Sequence, residues 1–291
     1  MHKPLFVFFG TPKFSVNVLN ALEANGLIPA LVVTAPDKPR GRGLEVSPSP
    51  AKMWALERGI EVLTPTTLKD RTVVAELQNT PWDIFVVAAY NKLIPKNILS
   101  LPRKGCLNVH PSLLPKFRGP SPALSAILSD ERQTGVSVML MNEQMDAGDV
   151  VAQARIELEE AAWPPKGSEF EEFLATEGGN FLAETLPHWL SGEITPEPQD
   201  ESKATYTKKF TTEDSLIDTS RSNLDERYAR EAFLKIRAFN AGPRAYFVTT
   251  EGKRVIITDA ELKDGELKIL KVIPEGKKEI TYTDYLRGQK N

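Results

Sequence analysis

The sequence predicts an α/β protein in which a parallel sheet with helices on both faces precedes a small C-terminal β-barrel. Short apolar runs alternate with amphipathic stretches through the first third of the chain, which is the pattern of βαβ units. Near the C-terminus, alternating apolar and polar segments are separated by Gly-containing turns, as in small barrels. At 291 residues the chain also exceeds the usual size of one domain, so we expect two domains.

The elements of the predicted sheet follow from the apolar positions along the N-terminal half. Leu5 to Phe9 forms the first apolar run, and Phe14, Val18 and Leu22 then lie at helical spacing behind Pro12. A second helix is predicted at 51–59, and further strands are predicted at 28–34, 83–89, 106–110, 134–141 and 150–158.

The C-terminal half begins with one closing helix at 170–190, in which the pair Gly178-Gly179 marks a place where it could break. A stretch rich in Pro, Ser and charge follows and has no periodicity, which is typical of an extended linker. We therefore place the first domain at 1–190, the linker at 191–207 and the second domain at 208–291. The second domain is predicted to hold a helix at 224–240 and strands at 254–262, 266–273 and 279–286.

Composition narrows the class of protein. The single cysteine, Cys106, excludes an internal disulfide, and with only three histidines it leaves little material for a soft-metal site, so we predict no metal. The N-terminus lacks the layout of a signal peptide, and no apolar run approaches the roughly 20 residues needed to span a bilayer. We therefore expect a cytoplasmic protein without a membrane partner.

The segment GCLNVHPSLLPKFRGPSP, residues 105–122, holds the strongest candidate site. Asn108 and His110 lie two positions apart at the end of a strand, so both side chains project to the same face. Asparagine offers an amide donor to a developing oxyanion, and histidine can carry a proton near neutral pH. A third candidate, Asp146, lies in the turn EQMDAGD, where it would ordinarily be a turn residue that caps backbone amides.

The order N-x-H-x-SLLP-x-x-RG followed by D-x-G-D, on a βαβ framework, resembles the folate-dependent formyltransferase family. The resemblance implies a Rossmann-like catalytic domain, a catalytic set of Asn108, His110 and Asp146, and 10-formyltetrahydrofolate as the formyl donor. The resemblance also implies that the loop SLLP binds the folate, through Ser112, Leu113, Leu114 and Pro115. The segment VVAAYNKLIP likewise implies that Tyr90, Leu93 and Ile94 line an apolar slot for the pterin.

Other segments are similar to the branch of this family that formylates the free amino group of initiator methionyl-tRNA. The similarity lies in FFGTPKFSVNVLNAL, in the loop TAPDKPRGRGLEVSPSPAK and in the C-terminal segments KIRAFNAGPRAYF and GKKEITYTDYLRG. It implies that Lys38, Arg40 and Arg42 contact tRNA phosphates, that residues 208–291 form an OB-like tRNA-contacting domain, and that the protein is a monomer. Leu44 and Glu45 stand where we expect a pair of lysines in this loop.

Three alternatives stay open on the sequence. Related formyltransferases share the catalytic core, so the acceptor could be a sugar nucleotide or another small amine. The chain could also be an RNA-binding protein on a degenerate enzyme scaffold, although such a protein has no use for Asn108, His110 and Asp146 together. In a formylfolate hydrolase, water would replace the amine.

Overall fold

The computed structural model describes residues 3–40, 45–219, 221 and 225–289. The chain divides into two compact units, each assembled from separate segments. The first unit comprises Met1–Gly119, Thr134–Ile156 and Glu171–Tyr206, and the second comprises Pro120–Gln133, Glu157–Phe170 and Thr207–Asn291.

Strands and helices alternate through the first unit, and the second unit also contains both. The strands are β1 (Phe6–Gly10), β2 (Leu31–Val33), β3 (Lys38–Arg40), β4 (Glu45–Ser47), β5 (Glu61–Leu63), β6 (Ile84–Ala88), β7 (Cys106–His110), β8 (Thr134–Leu140), β9 (Val150–Ile156), β10 (Tyr246–Val248), β11 (Arg254–Lys263), β12 (Glu266–Pro274) and β13 (Ile280–Thr281). The helices are α1 (Lys13–Ala24), α2 (Pro50–Leu56), α3 (Arg71–Gln78), α4 (Lys96–Leu99), α5 (Pro122–Leu128), α6 (Gly167–Ser191), α7 (Glu226–Ala238) and α8 (Tyr282–Gly288). Single 3₁₀ turns lie at Glu160–Ala162, Glu201–Lys203 and Glu213–Ser215.

A seven-stranded sheet in the order β5-β2-β1-β6-β7-β8-β9 forms the centre of the first unit. The strands β5, β2, β1, β6 and β7 pair in parallel, and β8 and β9 add an antiparallel edge. The predicted parallel sheet is thus confirmed. Because β1, β6 and β7 run the same way, their carboxyl ends meet at one edge, where open α/β sheets bind ligands.

The central strands bury side chains on both faces of this sheet. Phe6 and Phe8 of β1 lie in one apolar cluster with α1, α2 and α6, whereas Val7 and Phe9 lie in a second cluster on the other side. All four side chains are fully buried. A continuous apolar run is therefore what a strand covered on both faces requires.

Helix α6 continues without a break through Gly178 and Gly179. Both glycines lie where the helix comes close to neighbouring elements, which leaves no room for a side chain. A Cβ at Gly179 would lie 2.6 Å from the Cβ of Ala21 and 2.9 Å from the carbonyl oxygen of Val18, both in α1. A Cβ at Gly178 would lie 2.6 Å from a methyl of Val109 in β7. The pair lets α6 pack closely on α1 and on the strand that carries Asn108 and His110.

The segment after α6 is extended, and it pairs with other parts of the first unit. Glu197 forms a bridge with Val150, and Tyr206 forms a parallel bridge with Arg118. The chain from Glu197 to Tyr206 is therefore held by backbone pairing at both ends.

The second unit contains a four-stranded antiparallel sheet in the order β10-β11-β12-β13, which is compatible with the predicted small barrel. Asp225 caps the N-terminus of helix α7, because its carboxylate accepts hydrogen bonds from the backbone N–H of Arg227 and Tyr228. The strand predicted at 279–286 is wrong beyond Thr281. The Thr281 hydroxyl caps a helix there by accepting from the backbone N–H of Asp284. None of the helices within the described ranges is long and apolar enough to cross a membrane.

Candidate functional site

Strand β7 brings Asn108 and His110 to the carboxyl edge of the sheet. Asn108 pairs with Val87 of β6 and Met139 of β8, and His110 pairs with Ser137 of β8. The two residues are 8% and 3% exposed, so both lie in a largely dehydrated environment. Within the described part of the chain, the Asn108 side chain has no hydrogen-bond partner, which leaves its amide N–H groups available to a substrate.

His110 lies between two acceptors. Its Nε2 atom is 3.0 Å from the carbonyl oxygen of Phe117, and its Nδ1 atom is 3.8 Å from Oδ2 of Asp146. A carbonyl oxygen can only accept, so Nε2 carries the proton of that hydrogen bond, and Nδ1 is the ring nitrogen that faces the carboxylate.

Asp146 is fixed by its backbone as well as by its carboxylate. The residue is in the left-handed region with φ 51°, and its Oδ2 accepts a 2.7 Å hydrogen bond from the backbone N–H of Gly119. The carboxylate thus caps a backbone amide and also faces His110. Tight backbone packing holds the same turn, since a Cβ at Gly148 would lie 1.7 Å from the carbonyl oxygen of Leu140.

The loop of Ser112, Leu113, Leu114 and Pro115 follows β7 directly and is fastened to β8 and β9. The Ser137 hydroxyl donates to the carbonyl of Ser112 at 2.6 Å and accepts from the backbone N–H of Leu114 at 3.1 Å. The Gln153 amide donates to the carbonyl of Leu114 at 2.8 Å. Sequence reasoning missed Ser137 and Gln153, because each reads as an ordinary polar residue of a strand.

Sequence reasoning also missed a network around Arg118, whose side chain is 1% exposed. The guanidinium pairs with both carboxylate oxygens of Glu201 at 3.0 and 2.7 Å and donates to Gln199 Oε1 at 3.0 Å. It also donates to the Tyr206 hydroxyl at 3.2 Å. Pairing with Glu201 raises the pKa of Arg118, and the same contact lowers the pKa of Glu201.

The residues expected along the pterin differ in their surroundings. Tyr90 packs edge-on against Phe9 with ring centroids 5.5 Å apart, and Ile94 is buried in the same apolar cluster. Burial raises the pKa of Tyr90 to about 12, and its hydroxyl has no hydrogen-bond partner in the described ranges. Leu93 is 77% exposed and lies outside this cluster.

Two of the residues expected to contact tRNA lie on strand β3, where Lys38 pairs with Ser47 of β4 and Arg40 pairs with Glu45 of β4. Arg42 lies outside the described residues.

A further lysine, Lys92, lies close enough to Lys38 to feel its charge. Lys92 donates to the carbonyl oxygens of Pro65 and Thr66. Burial lowers the pKa of Lys92, and the nearby charge of Lys38 lowers it further.

This arrangement matches known proteins over almost the whole chain. A family model described as formyl transferase matches residues 2–162. A methionyl-tRNA formyltransferase of Roseiflexus castenholzii is 39% identical, with 97% of this chain and 95% of the relative covered. The corresponding protein of Bacillus licheniformis is 35% identical, with 97% and 94% covered. The chain belongs to the methionyl-tRNA formyltransferase family.

Solved structures agree with this family at the level of the fold. A methionyl-tRNA formyltransferase from Clostridium thermocellum superposes with a TM-score of 0.60 at 16% identity, covering 96% of this chain and 99% of that chain. HypX from Aquifex aeolicus in complex with tetrahydrofolic acid superposes with a TM-score of 0.61 at 19% identity, covering 98% and 47%. Both superpositions cover nearly the whole chain, so the likeness in fold includes the first and the second unit.

Proposed function

We propose that this chain transfers the formyl group of 10-formyltetrahydrofolate to the amino group of initiator methionyl-tRNA. One observation carries the proposal. At the carboxyl edge of the sheet, the unpartnered amide of Asn108 shares a strand with His110, whose Nδ1 faces Asp146 at 3.8 Å. The full-length similarity to methionyl-tRNA formyltransferases supports this acceptor over a sugar nucleotide.

The amine nitrogen attacks the formyl carbon, and the carbonyl oxygen takes up negative charge in a tetrahedral intermediate. Asn108 donates a hydrogen bond to that oxygen, and protonated His110 supplies a second donor through Nδ1, because its Nε2 N–H is bonded to the Phe117 carbonyl. The bond between the formyl carbon and the folate nitrogen then breaks, and this nitrogen receives a proton from His110. Asp146 orients the imidazolium and, through water, accepts the proton that the attacking amine loses.

The donor is proposed to bind beside the loop of Ser112, Leu113, Leu114 and Pro115. This loop continues directly from His110, and the hydrogen bonds from Ser137 and Gln153 fix its backbone. A bound donor would therefore meet a preformed surface, which reduces the entropy lost on binding. Tyr90 and Ile94 add an apolar wall after the neighbouring strand β6.

The acceptor is proposed to contact Lys38, Arg40 and Arg42, with residues 208–291 as a second tRNA-contacting region. Lysine and arginine neutralise phosphates and release counterions, so affinity should fall as salt rises. Replacing Lys38 with alanine should weaken tRNA binding and reduce this salt dependence, whereas the affinity for tetrahydrofolate should not change.

The deciding experiment follows labelled formyl from 10-formyltetrahydrofolate to charged initiator methionyl-tRNA, to a sugar-nucleotide amine and to free methionine in parallel. Label on the tRNA, absent with His110→Ala, supports the proposal. Label only on a small acceptor would move the chain to a related activity with the same site. Loss of formylfolate without any labelled acceptor would instead reveal a hydrolase.

A further inference from the structure

The segment Gln199–Tyr206, which we call the strap, lies against the loop Phe117–Gly119, which follows Ser112, Leu113, Leu114 and Pro115 in the chain. Thr205 binds this loop by its backbone and side chain. Its carbonyl accepts from the N–H of Arg118 at 2.8 Å, and its hydroxyl accepts from the N–H of Phe117 at 2.8 Å. The side chains of Glu201 and Tyr206 also bind this loop, since both accept hydrogen bonds from the Arg118 guanidinium.

The loop under the strap presents two backbone groups to the proposed catalytic residues. Its Phe117 carbonyl accepts from Nε2 of His110 at 3.0 Å, and its Gly119 N–H donates to Oδ2 of Asp146 at 2.7 Å. Phe117 and Gly119 both have positive φ, at 60° and 114°. Phe117 has a side chain that disfavours this conformation, so the surrounding contacts must hold it there.

Gln199 joins the strap to both parts of the site at once. Its Oε1 accepts from Nε of Arg118, and its Nε2 donates to the carbonyl oxygens of Asp146 at 2.9 Å and Gly148 at 2.6 Å. One side chain therefore ties the loop at Phe117–Gly119 to the turn at Asp146. Since the carboxyamide must present its oxygen to Arg118 and its nitrogen to the turn, its orientation is fixed.

We propose that Gln199, acting through Arg118 and the Asp146 turn, is a positioning residue that sets the separation of His110 and Asp146. This inference rests on the proposed function. The loop holds His110 through the Phe117 carbonyl. Asp146 is held by the Gly119 N–H of the same loop and by the Gln199 amide of the strap. A shift of the strap therefore changes the distance between the His110 and Asp146 side chains, although the strap itself does not contact substrate. A displacement of about 1 Å in such a pair can lower the rate on the order of 100-fold.

The main test compares Gln199→Ala with Lys203→Ala, a matched control in the same strap whose ammonium pairs with Asp200 on the surface. In steady-state formyl transfer, Gln199→Ala should lower kcat by about 10- to 100-fold and shift its pH dependence. Its KM for tRNA and its Kd for tetrahydrofolate should stay close to the wild-type values. Because stability depends on pH, the folded fraction of each variant is measured at every pH and the rates are corrected for it, so that a remaining change in the pH profile reports the site and not partial unfolding.

A second variant and a spectroscopic readout keep the inference testable if Gln199→Ala folds poorly. Glu201→Gln weakens the bidentate contact to Arg118 at a carboxylate that is 67% exposed, so it should fold and show a smaller effect of the same kind. The chain has three histidines, so the ring resonances of His110 can be assigned by comparison with His110→Ala. They should move in both strap variants and stay fixed in Lys203→Ala.

The outcomes separate this inference from the proposed function. Wild-type kcat, an unchanged pH profile and unmoved His110 resonances in Gln199→Ala would overturn the positioning role while the function stands. A wild-type protein that transfers no formyl to tRNA would overturn the function instead. The His110 resonances would then still report whether Gln199 positions the pair.

Discussion

Nδ1 of His110 and Oδ2 of Asp146 lie 3.8 Å apart at the carboxyl edge of the sheet, too far for a direct hydrogen bond. The same carboxylate oxygen is already bonded to the backbone N–H of Gly119 at 2.7 Å. The carboxylate is therefore held in place by the backbone and acts on His110 through its charge. Removing the charge and removing the side chain should consequently have different effects.

Asp146→Asn should abolish most of the formyl transfer without unfolding the protein. The amide oxygen can still accept from Gly119, but the charge that stabilises an imidazolium at His110 is lost, and we expect a rate loss of roughly 100- to 10,000-fold. Single-turnover transfer to charged tRNA measures the effect. Glu143→Gln, in the same turn and paired only at the surface with Lys96 at 3.3 Å, should leave the rate unchanged. A wild-type rate in Asp146→Asn would remove Asp146 from the mechanism.

Asn108→Ala should lower kcat by about 100- to 1,000-fold, because the developing oxyanion loses one preorganised donor. Asn108→Asp should be slower still, since a carboxylate at this buried position repels the same negative charge. Thermal unfolding of both variants controls for changes in β7. If Asn108→Asp matched the wild-type rate, the oxyanion role would have to be given to another group.

Gly179→Ala should destabilise the first unit by about 1 to 3 kcal/mol, because its methyl group has no room against α1. The nearest atoms would be the Cβ of Ala21 at 2.6 Å and the carbonyl oxygen of Val18 at 2.9 Å. Gly288→Ala is the control, since within the described ranges no atom beyond the chain neighbours and the adjacent backbone of α8 lies within 4 Å of the place that its methyl group would take. Chemical denaturation gives both values, and equal stability of the two variants would contradict the close packing of α6.

Asp130 should contribute stability that depends on pH. Its carboxylate accepts from Arg230 at 2.7 Å and from Trp163 Nε1 at 2.6 Å, and the Arg230 contact lowers its pKa from the usual 3.8. A lowered pKa in the folded state means that the stabilisation is complete above 3.8 and is lost as pH falls through the folded value.

The check is the difference in unfolding free energy between wild type and Asp130→Asn across pH. The difference should be largest near neutral pH and should shrink below about pH 4. Glu231→Gln, which removes an exposed helical pair with Arg227, should change stability by less than about 0.5 kcal/mol. A difference that grows as pH falls would have the wrong sign for this pair.

The sheet was predictable because its signal is local. The run Leu5 to Phe9 and the run 83–89 are apolar at every position or nearly so, and a strand covered on both faces needs such a run. Helix α7 was predictable from its periodicity for the same reason. The C-terminal strand at 279–286 was mispredicted because the cap at Thr281 outweighs the alternating pattern that follows it.

The sequence by itself determined the family, the parallel sheet and the spacing that puts Asn108 and His110 on one face of β7. Each of these depends on residue types at short, fixed separations. Only the tertiary structure decided that Gln199 bonds to Arg118 and to the Asp146 turn. The two contacts of Gln199 span 81 and 53 residues of chain, and no local propensity encodes contacts at that range, because they form only once β7, β8 and the strap pack together.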